Sequence, residues 1–221
     1  ETVSDGLLGI IMGVCAAVQF SLAQFFYPED RLKTVCVYFI SVGLVMIATE
    51  TVKSYIGYLR PYTYEGCQPS TEFLCTAKDD DFRKSFPSGH ASLGFNVCVL
   101  LSLYIGHRFG VGSARHVVRE TPEGDVLFQV TPPTTIQRAF SLVSLGPIAV
   151  AIFIAASRVV NNYHFPADIV GGALLGYSIS VFSHGLWCVL FLFVGSFLPL
   201  VSLSSGGLSY HVDLQVSVVA N

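Results

Sequence analysis

The stretch from Ser157 to Asp168 carries an arginine, a histidine and an aspartate between two segments without charge. Ionisable side chains are costly near hydrocarbon, so charges bordering apolar segments mark a functional site by default. The imidazole of His164 can act as a nucleophile at neutral pH. Asp168 would lie beside that ring if a helix begins near Pro166, and there it would fix the tautomer and stabilise positive charge. The stretch therefore predicts nucleophilic chemistry centred on a histidine.

Three cations suit a phosphoryl group as the target of this nucleophile. Lys53 and Arg60 stand in one polar loop, separated by six residues, and Arg158 belongs to the stretch described above. The two arginines can each grip phosphoryl oxygens in bidentate fashion. Three cations would repel a divalent ion, and too few acidic or histidine ligands stand near the histidines. The sequence therefore favours a phosphate site over a metal site, with no cofactor.

A second polar run, Pro87-Ser88-Gly89-His90, comes directly before an apolar segment. Backbone N–H groups at the start of a helix receive anions, and Gly89 would allow a close approach. His90 offers a proton donor at neutral pH. Nucleophile, proton donor and anion-binding helix start together predict transfer of a phosphoryl group.

The elements that must position these residues are apolar helices. Only 12% of the 221 residues are charged and the mean hydropathy is +0.61, whereas a soluble domain carries about a quarter charged residues. Uncharged runs of about 20 residues can span a bilayer. We expect an all-α, multi-pass transmembrane helical bundle with five spans, which follow the runs at 6–27, 34–49, 91–106, 139–157 and from 169 onward.

The last uncharged run, residues 169–212, is too long for one crossing. A turn at residues 183–185 would divide it, but we favour a single long helix that ends near Gly195 or Pro199. The whole chain, 1–221, is then one membrane-embedded domain, with residues 204–221 as a tail. The net charge of −3 and the lack of a basic stripe argue against a nucleic-acid partner.

Counting crossings predicts where the polar clusters meet. The loop after the second span holds Lys53, Arg60 and the run that ends at His90, and the third span leaves from that same side. The fourth span then returns to this side and delivers the stretch from Ser157 to Asp168. All three clusters are therefore expected on one face of the membrane.

Two loops carry further features. Cys67 and Cys75 share the long loop before Pro87, and their spacing fits no zinc or redox motif. If that loop faces an oxidising compartment, a disulfide between them would be able to form. The loop from Arg108 to Arg138 contains a short extended piece at residues 126–130 at most.

The three clusters read Lys-x6-Arg-Pro, Pro-Ser-Gly-His and Ser-Arg-x5-His-x3-Asp. Together they resemble the three signature motifs of the type 2 phosphatidic acid phosphatase superfamily, with no motif position substituted. Loop lengths and apolar spacing resemble its lipid phosphate phosphatase branch over about residues 2–183. That family has six spans, so we expect the first of them to be missing here.

The resemblance implies a metal-independent hydrolase that acts in lipid metabolism and signalling through a phosphohistidine. His164 would attack phosphorus, Asp168 would orient it, and His90 would protonate the leaving alkoxide and later help to activate water. The phosphoryl oxygens would be held by five residues: Lys53, Arg60, Ser88, Gly89 and Arg158. Family substrates are phosphatidate, lysophosphatidate, sphingosine 1-phosphate and ceramide 1-phosphate.

The resemblance also places the site on the extracellular or luminal face of a plasma membrane or endomembrane, and the sequence leaves a homo-oligomer open. Two alternatives stay open. One is a phosphatase of the same superfamily for another substrate, a sphingoid-base phosphate or a lipid diphosphate. The other is a catalytically silent membrane binding protein on the same scaffold.

Overall fold

The computed structural model describes residues 2–63, 83–109 and 134–201, and two strands at 115–120 and 126–131. Within these residues five helices are long and apolar enough to cross a membrane. The predicted all-α bundle with five spans is therefore confirmed. Its helices are α1 (Asp5–Phe26), α2 (Arg31–Ile56), α3 (Gly89–Arg108), α4 (Thr135–Val160) and α5 (Pro166–Val201).

Helix caps determine where α2 ends and where α3 begins, and both places lie at the polar clusters. Gly57 adopts a left-handed conformation with φ of 61°, and its N–H donates to the Lys53 carbonyl at 3.2 Å. A glycine bears this conformation without strain, so α2 stops one turn after Lys53. At the start of α3, the Ser88 hydroxyl oxygen accepts from the N–H of Ala91 at 3.4 Å. These two termini place Lys53 and His90 at helix ends.

The central helix of the bundle is α3, which is buried on most of its faces. Its apolar side chains around Val97 and Leu101 form the core with Cys15 of α1, Tyr38 of α2 and Ala151 of α4. Because α3 is held by these three helices, the position of its first turn is determined by the packing of the whole bundle.

Small residues on α5 allow it to approach α3 closely. A side chain at Gly172 would bring its Cβ to 2.6 Å from the Ser88 carbonyl oxygen, and one at Gly176 would overlap the Ser92 carbonyl oxygen. One turn further on, the amide of Asn96 donates to Ser41 of α2 at 2.8 Å and to Ser180 of α5 at 3.3 Å. Small residues and buried hydrogen bonds are the usual means of joining helices in membranes.

A buried group of ion pairs, separate from the three polar clusters, joins the helices at the opposite end of α3. Asp30, which is fully buried before α2, forms ion pairs with Arg108 and with Lys33, the latter at 3.2 Å. The Tyr27 hydroxyl donates to the Arg108 carbonyl at 3.1 Å, and the guanidinium lies 4.4 Å from the centre of the Tyr27 ring. This cluster connects the turn between α1 and α2 to the end of α3.

The connection between α3 and α4 contains a β-hairpin. Strand β1 (Arg115–Glu120) pairs antiparallel with β2 (Val126–Thr131), with Arg115 opposite Thr131. The sequence prediction of one short extended piece at residues 126–130 was wrong in missing β1. An isolated six-residue run lacks a periodic signal strong enough to be recognised, and its partner strand supplies the hydrogen bonds that stabilise it.

The end of the chain bears on the domain prediction. Helix α5 continues from Pro166 to Val201, so the preference for one long helix over a turn at 183–185 is confirmed. The chain forms two compact units, Glu1–Trp187 and Cys188–Asn221. The tail predicted at 204–221 lies outside the described residues, and the single domain over 1–221 stays a prediction.

Candidate functional site

A tight turn between α4 and α5 presents His164. Asn162 adopts φ of 58°, a left-handed conformation that asparagine tolerates better than most residues. The N–H of Tyr163 then donates back to the Arg158 carbonyl at 3.0 Å. The turn buries His164, whose exposed fraction is 4%, directly before the first turn of α5.

Asp168 lies beside the imidazole, as the four-residue spacing predicts. Its Oδ2 atom is 3.6 Å from Nδ1 of His164, and the carboxylate is fully buried. The same Oδ2 accepts from the N–H of Phe165 at 2.8 Å. A buried carboxylate at Nδ1 favours the tautomer with the proton on that atom, which leaves the lone pair on Nε2.

Ser85 is a member of this group that the sequence analysis missed. Its hydroxyl donates to Asp168 Oδ2 at 2.5 Å and lies 3.5 Å from His164 Nδ1. The side chain is fully buried, and its N–H donates to the Tyr58 carbonyl at 2.9 Å. The signal that would have pointed to it is a small hydroxyl residue just before the Pro-Ser-Gly-His run.

The three predicted cations act together on His164. Burial first, and then the positive charges of Arg60, Arg158 and Lys53, lower the pKa of His164 to about 3. The ring is therefore neutral at physiological pH and keeps a lone pair for bonding. Nearby cations disfavour the protonated ring, and they would equally favour an anion placed against it.

Lys53 reaches from α2 to the start of α3. Its ammonium nitrogen would lie 3.1 Å from a Cβ at Gly89, so glycine leaves the space above this helix start open. Glu50 pairs with the ammonium at 2.9 Å from the exposed side. The Lys53 ammonium group therefore lies close to the backbone at the start of α3.

The two arginines are positioned by tyrosines. The Arg158 guanidinium lies 4.4 Å from the centre of the Tyr163 ring, and Arg60 lies 5.7 Å from that of Tyr62. These two rings pack edge to face at 5.6 Å. Arg158 is 3% exposed and also donates to the Val3 carbonyl at 2.6 Å. The aromatic pair thus links the first polar cluster to the third.

Ser88 and His90 lie at the start of α3. The N–H of Ser88 donates to the main-chain carbonyl of Asp168 at 3.0 Å, and its hydroxyl caps the helix. His90 is 9% exposed, and its Nε2 lies 3.4 Å from a carboxylate oxygen of Asp5 in α1. The N–H of Ser88 is thus already engaged by the Asp168 carbonyl.

These contacts bring all three clusters together, so the convergence expected from helix parity is present. Lys53 meets Gly89, Ser85 and Ser88 meet Asp168, and Arg60 and Arg158 act on His164. Cys67 and Cys75 lie outside the described residues, so their disulfide stays a prediction. The arrangement is a buried neutral imidazole among cations and a helix start, which suits nucleophilic attack on an anionic, oxygen-rich group.

Acidification is expected to destabilise the fold through His164. Its pKa is lowered from 6.5 to about 3 in the folded state, so the unfolded chain takes up this proton first. The stability that the neutral ring contributes is complete above pH 6.5 and is lost as the pH falls toward about 3. Melting temperatures in detergent should fall less steeply below pH 6.5 for His164→Gln than for the unchanged protein. Equal slopes would contradict this.

A family model described as the PAP2 superfamily matches residues 34–195, which include every residue of the three clusters. The match covers well over half of the chain. Among solved structures, no significant match was found.

Curated relatives carry names that refer to lipid phosphates. Lipid phosphate phosphatase 2 of Arabidopsis thaliana is 29% identical over 157 residues, covering 65% of this chain and 47% of the relative. Lipid phosphate phosphatase 1 of the same plant is 27% identical over 198 residues, covering 80% and 50%. A putative phosphatidate phosphatase of Drosophila melanogaster is 28% identical over 170 residues, covering 65% and 38%. The chain thus spans about half the length of these relatives or less.

Proposed function

Because the chain belongs to the PAP2 superfamily, we propose that it hydrolyses phosphate monoesters of phosphatidate-type lipids at the membrane surface. The observation that carries the proposal is the neutral, buried His164 beside Asp168 and within the field of three cations. The names of the lipid phosphate phosphatase relatives support a lipid substrate. The proposed substrates are phosphatidate, lysophosphatidate, sphingosine 1-phosphate and ceramide 1-phosphate.

In the proposed first step, Nε2 of His164 attacks phosphorus while the bond from phosphorus to the lipid oxygen breaks. His90 gives its proton to the departing alkoxide, which leaves as the lipid alcohol. Asp168 stabilises the positive charge that develops on the ring. The product of this step is a phosphohistidine.

In the second step, water attacks the phosphohistidine and inorganic phosphate leaves. His90, now neutral, accepts a proton from the water and returns to its starting state. Both steps place negative charge on the phosphoryl oxygens, which we assign to Lys53, Arg60, Ser88, Gly89 and Arg158. Three fixed cations provide the charge stabilisation for which other phosphatases use a metal ion, so we propose that the activity is independent of Mg²⁺.

The placement of the site suits a substrate embedded in the bilayer. The proposed catalytic residues lie at the ends of α2 and α4 and the starts of α3 and α5. The acyl chains would stay among lipids while the headgroup enters from the border. We propose that the site lies at the border between bilayer and water on the extracellular or luminal face of a plasma membrane or endomembrane.

The test is the release of inorganic phosphate from phosphatidate micelles by the purified protein in excess EDTA. Release of phosphate is the expected result. Its absence would overturn the proposal and favour a catalytically silent membrane binding protein. Parallel assays with sphingosine 1-phosphate and a lipid diphosphate rank the substrates. A protein active only on a diphosphate would keep the superfamily chemistry and overturn the proposed substrate class.

Replacement of Ser85 by alanine is expected to lower kcat about 10- to 100-fold with little change in KM, because a buried carboxylate loses a donor. The loss should be partly restored by Ser85→Thr, which keeps the hydroxyl. Phosphate release measures both constants.

The matched control is Ser102→Ala, which also removes a buried serine, in this case one within α3. The Ser102 hydroxyl donates to the Cys98 carbonyl at 2.9 Å within the same helix. Its loss should change kcat less than twofold, within the usual range for an intrahelical bond. A Ser85→Ala protein with normal kcat would show that Asp168 is held without the serine.

A further inference from the structure

We propose that Asp5, in the first turn of α1, is a positioning residue for His90, and that the contacts of Thr2 and Val3 hold Asp5 in its place. This inference rests on the proposed function, because it assumes that His90 protonates the departing alkoxide. None of the three sequence motifs contains the segment Thr2–Asp5. It enters the site only through contacts made in the folded bundle.

The segment is attached to the turn that carries His164. The Val3 carbonyl accepts from Arg158 at 2.6 Å, and the Val3 side chain is fully buried against Leu8 and Ile154. The hydroxyl of Thr2 bonds the amide group of Asn161, at 3.3 Å as donor and 3.1 Å as acceptor. Two independent anchors thus hold the backbone that presents Asp5.

The carboxylate of Asp5 contacts one of the two ring nitrogens of His90. Its Oδ1 lies 3.4 Å from Nε2 of His90. The carboxylate is 97% exposed, whereas the histidine side chain is only 11% exposed. Asp5 therefore approaches the ring from the solvent side. A carboxylate against one ring nitrogen fixes the orientation of the imidazole, and this orientation decides whether the ring can pass a proton to the departing oxygen.

In the proposed first step, the departing oxygen takes its proton from the ring that Asp5 orients. Because solvent screens the exposed carboxylate, the ion pair itself contributes little energy. The carboxylate contributes mainly by orienting the His90 ring. We therefore expect a moderate effect that depends on the leaving group.

A structural role for Asp5 makes a different prediction. An acidic residue in the first turn stabilises a helix through its dipole, and Ser4 caps the same turn by accepting from the Leu7 N–H at 3.2 Å. Loss of helix stability would lower activity on all substrates alike. Loss of the orientation of His90 would lower activity only on substrates whose leaving group needs the proton.

The experiment compares kcat/KM on lysophosphatidate, which releases an alkoxide, with that on an amphiphilic nitrophenyl phosphate, which releases a stable phenolate. Asp5→Asn should lose about tenfold on the first substrate and less than twofold on the second. Asp5→Glu should recover most of the loss. The control Ser4→Ala should lower the melting temperature without changing the ratio between the substrates.

A double variant tests whether Asp5 acts through His90. In a His90→Gln background, adding Asp5→Asn should not change the substrate ratio further, because the residue acts through the histidine. An equal loss on both substrates, or no loss on either, would overturn the inference. Failure of the proposed function shows differently, since the unchanged protein would then release phosphate from neither substrate.

Discussion

Replacement of His164 by alanine is expected to abolish phosphate release from phosphatidate, with a loss of at least about a thousandfold in kcat. The proposed mechanism has no other nucleophile: the lone pair on Nε2 forms the bond to phosphorus. The cations around the ring cannot substitute, since their role is to stabilise charge. Single-turnover phosphate release on the purified variant measures the loss. In the unchanged protein, an acid-labile phosphoenzyme should also be trapped, and the variant should form none.

The matched control is His184→Ala, which removes a partly buried histidine that lies within α5. His184 packs on His107, with ring centres 5.5 Å apart, at the opposite end of α3 from the site. We assign it no part in the reaction, so its loss should leave kcat within about threefold. A His164→Ala protein that retains full activity would falsify the phosphohistidine mechanism and require another nucleophile.

Replacement of Gly176 by alanine is expected to destabilise the fold by about 3 kcal/mol or more. The added Cβ would overlap the Ser92 carbonyl oxygen and stand 2.9 Å from the N–H nitrogen of Asn96. Both are backbone atoms of the most buried helix and cannot move as the end of a side chain can. The clash would push α5 from α3 and separate Asp168 from Ser88, so activity should fall with stability.

Gly146→Ala offers the control for this change. Gly146 lies within α4, and a Cβ there would meet no atom within 4 Å. The substitution should be neutral or slightly stabilising, because alanine has the better helix propensity. Melting temperatures in the same detergent compare the two variants. Equal melting temperatures would show that the contact between α3 and α5 is looser than the structure indicates.

The number and type of the helices could be predicted because hydropathy is a local property. Each predicted helix contains an uncharged run of 16 residues or more, and charges mark where each helix reaches the border. Parity then places the ends of successive helices on alternate faces, which brings Lys53, His90 and His164 to one side. The pairing of His164 with Asp168 also follows locally, from four residues of helix spacing.

Ser85 and Asp5 could not be predicted in the same way. Ser85 meets its partners 79 and 83 residues further along the chain. Asp5 of α1 meets His90 of α3, which is distant in the chain. The place of Ser85 just before the Pro-Ser-Gly-His run could have drawn attention to it, but no local feature of a serine or an aspartate identifies a partner so distant in the chain.

The amino-acid sequence by itself determined the class of fold, the meeting of the polar clusters on one side of the bundle and the residue types available to the chemistry. These depend on composition, charge and spacing, which are read along one dimension. Only the tertiary structure decided which atoms touch. The glycines of α5 allow it to approach α3, and this approach brings Ser88 to Asp168. The burial of Val3 places Asp5 at His90, because packing of distant segments sets distances that no local pattern encodes.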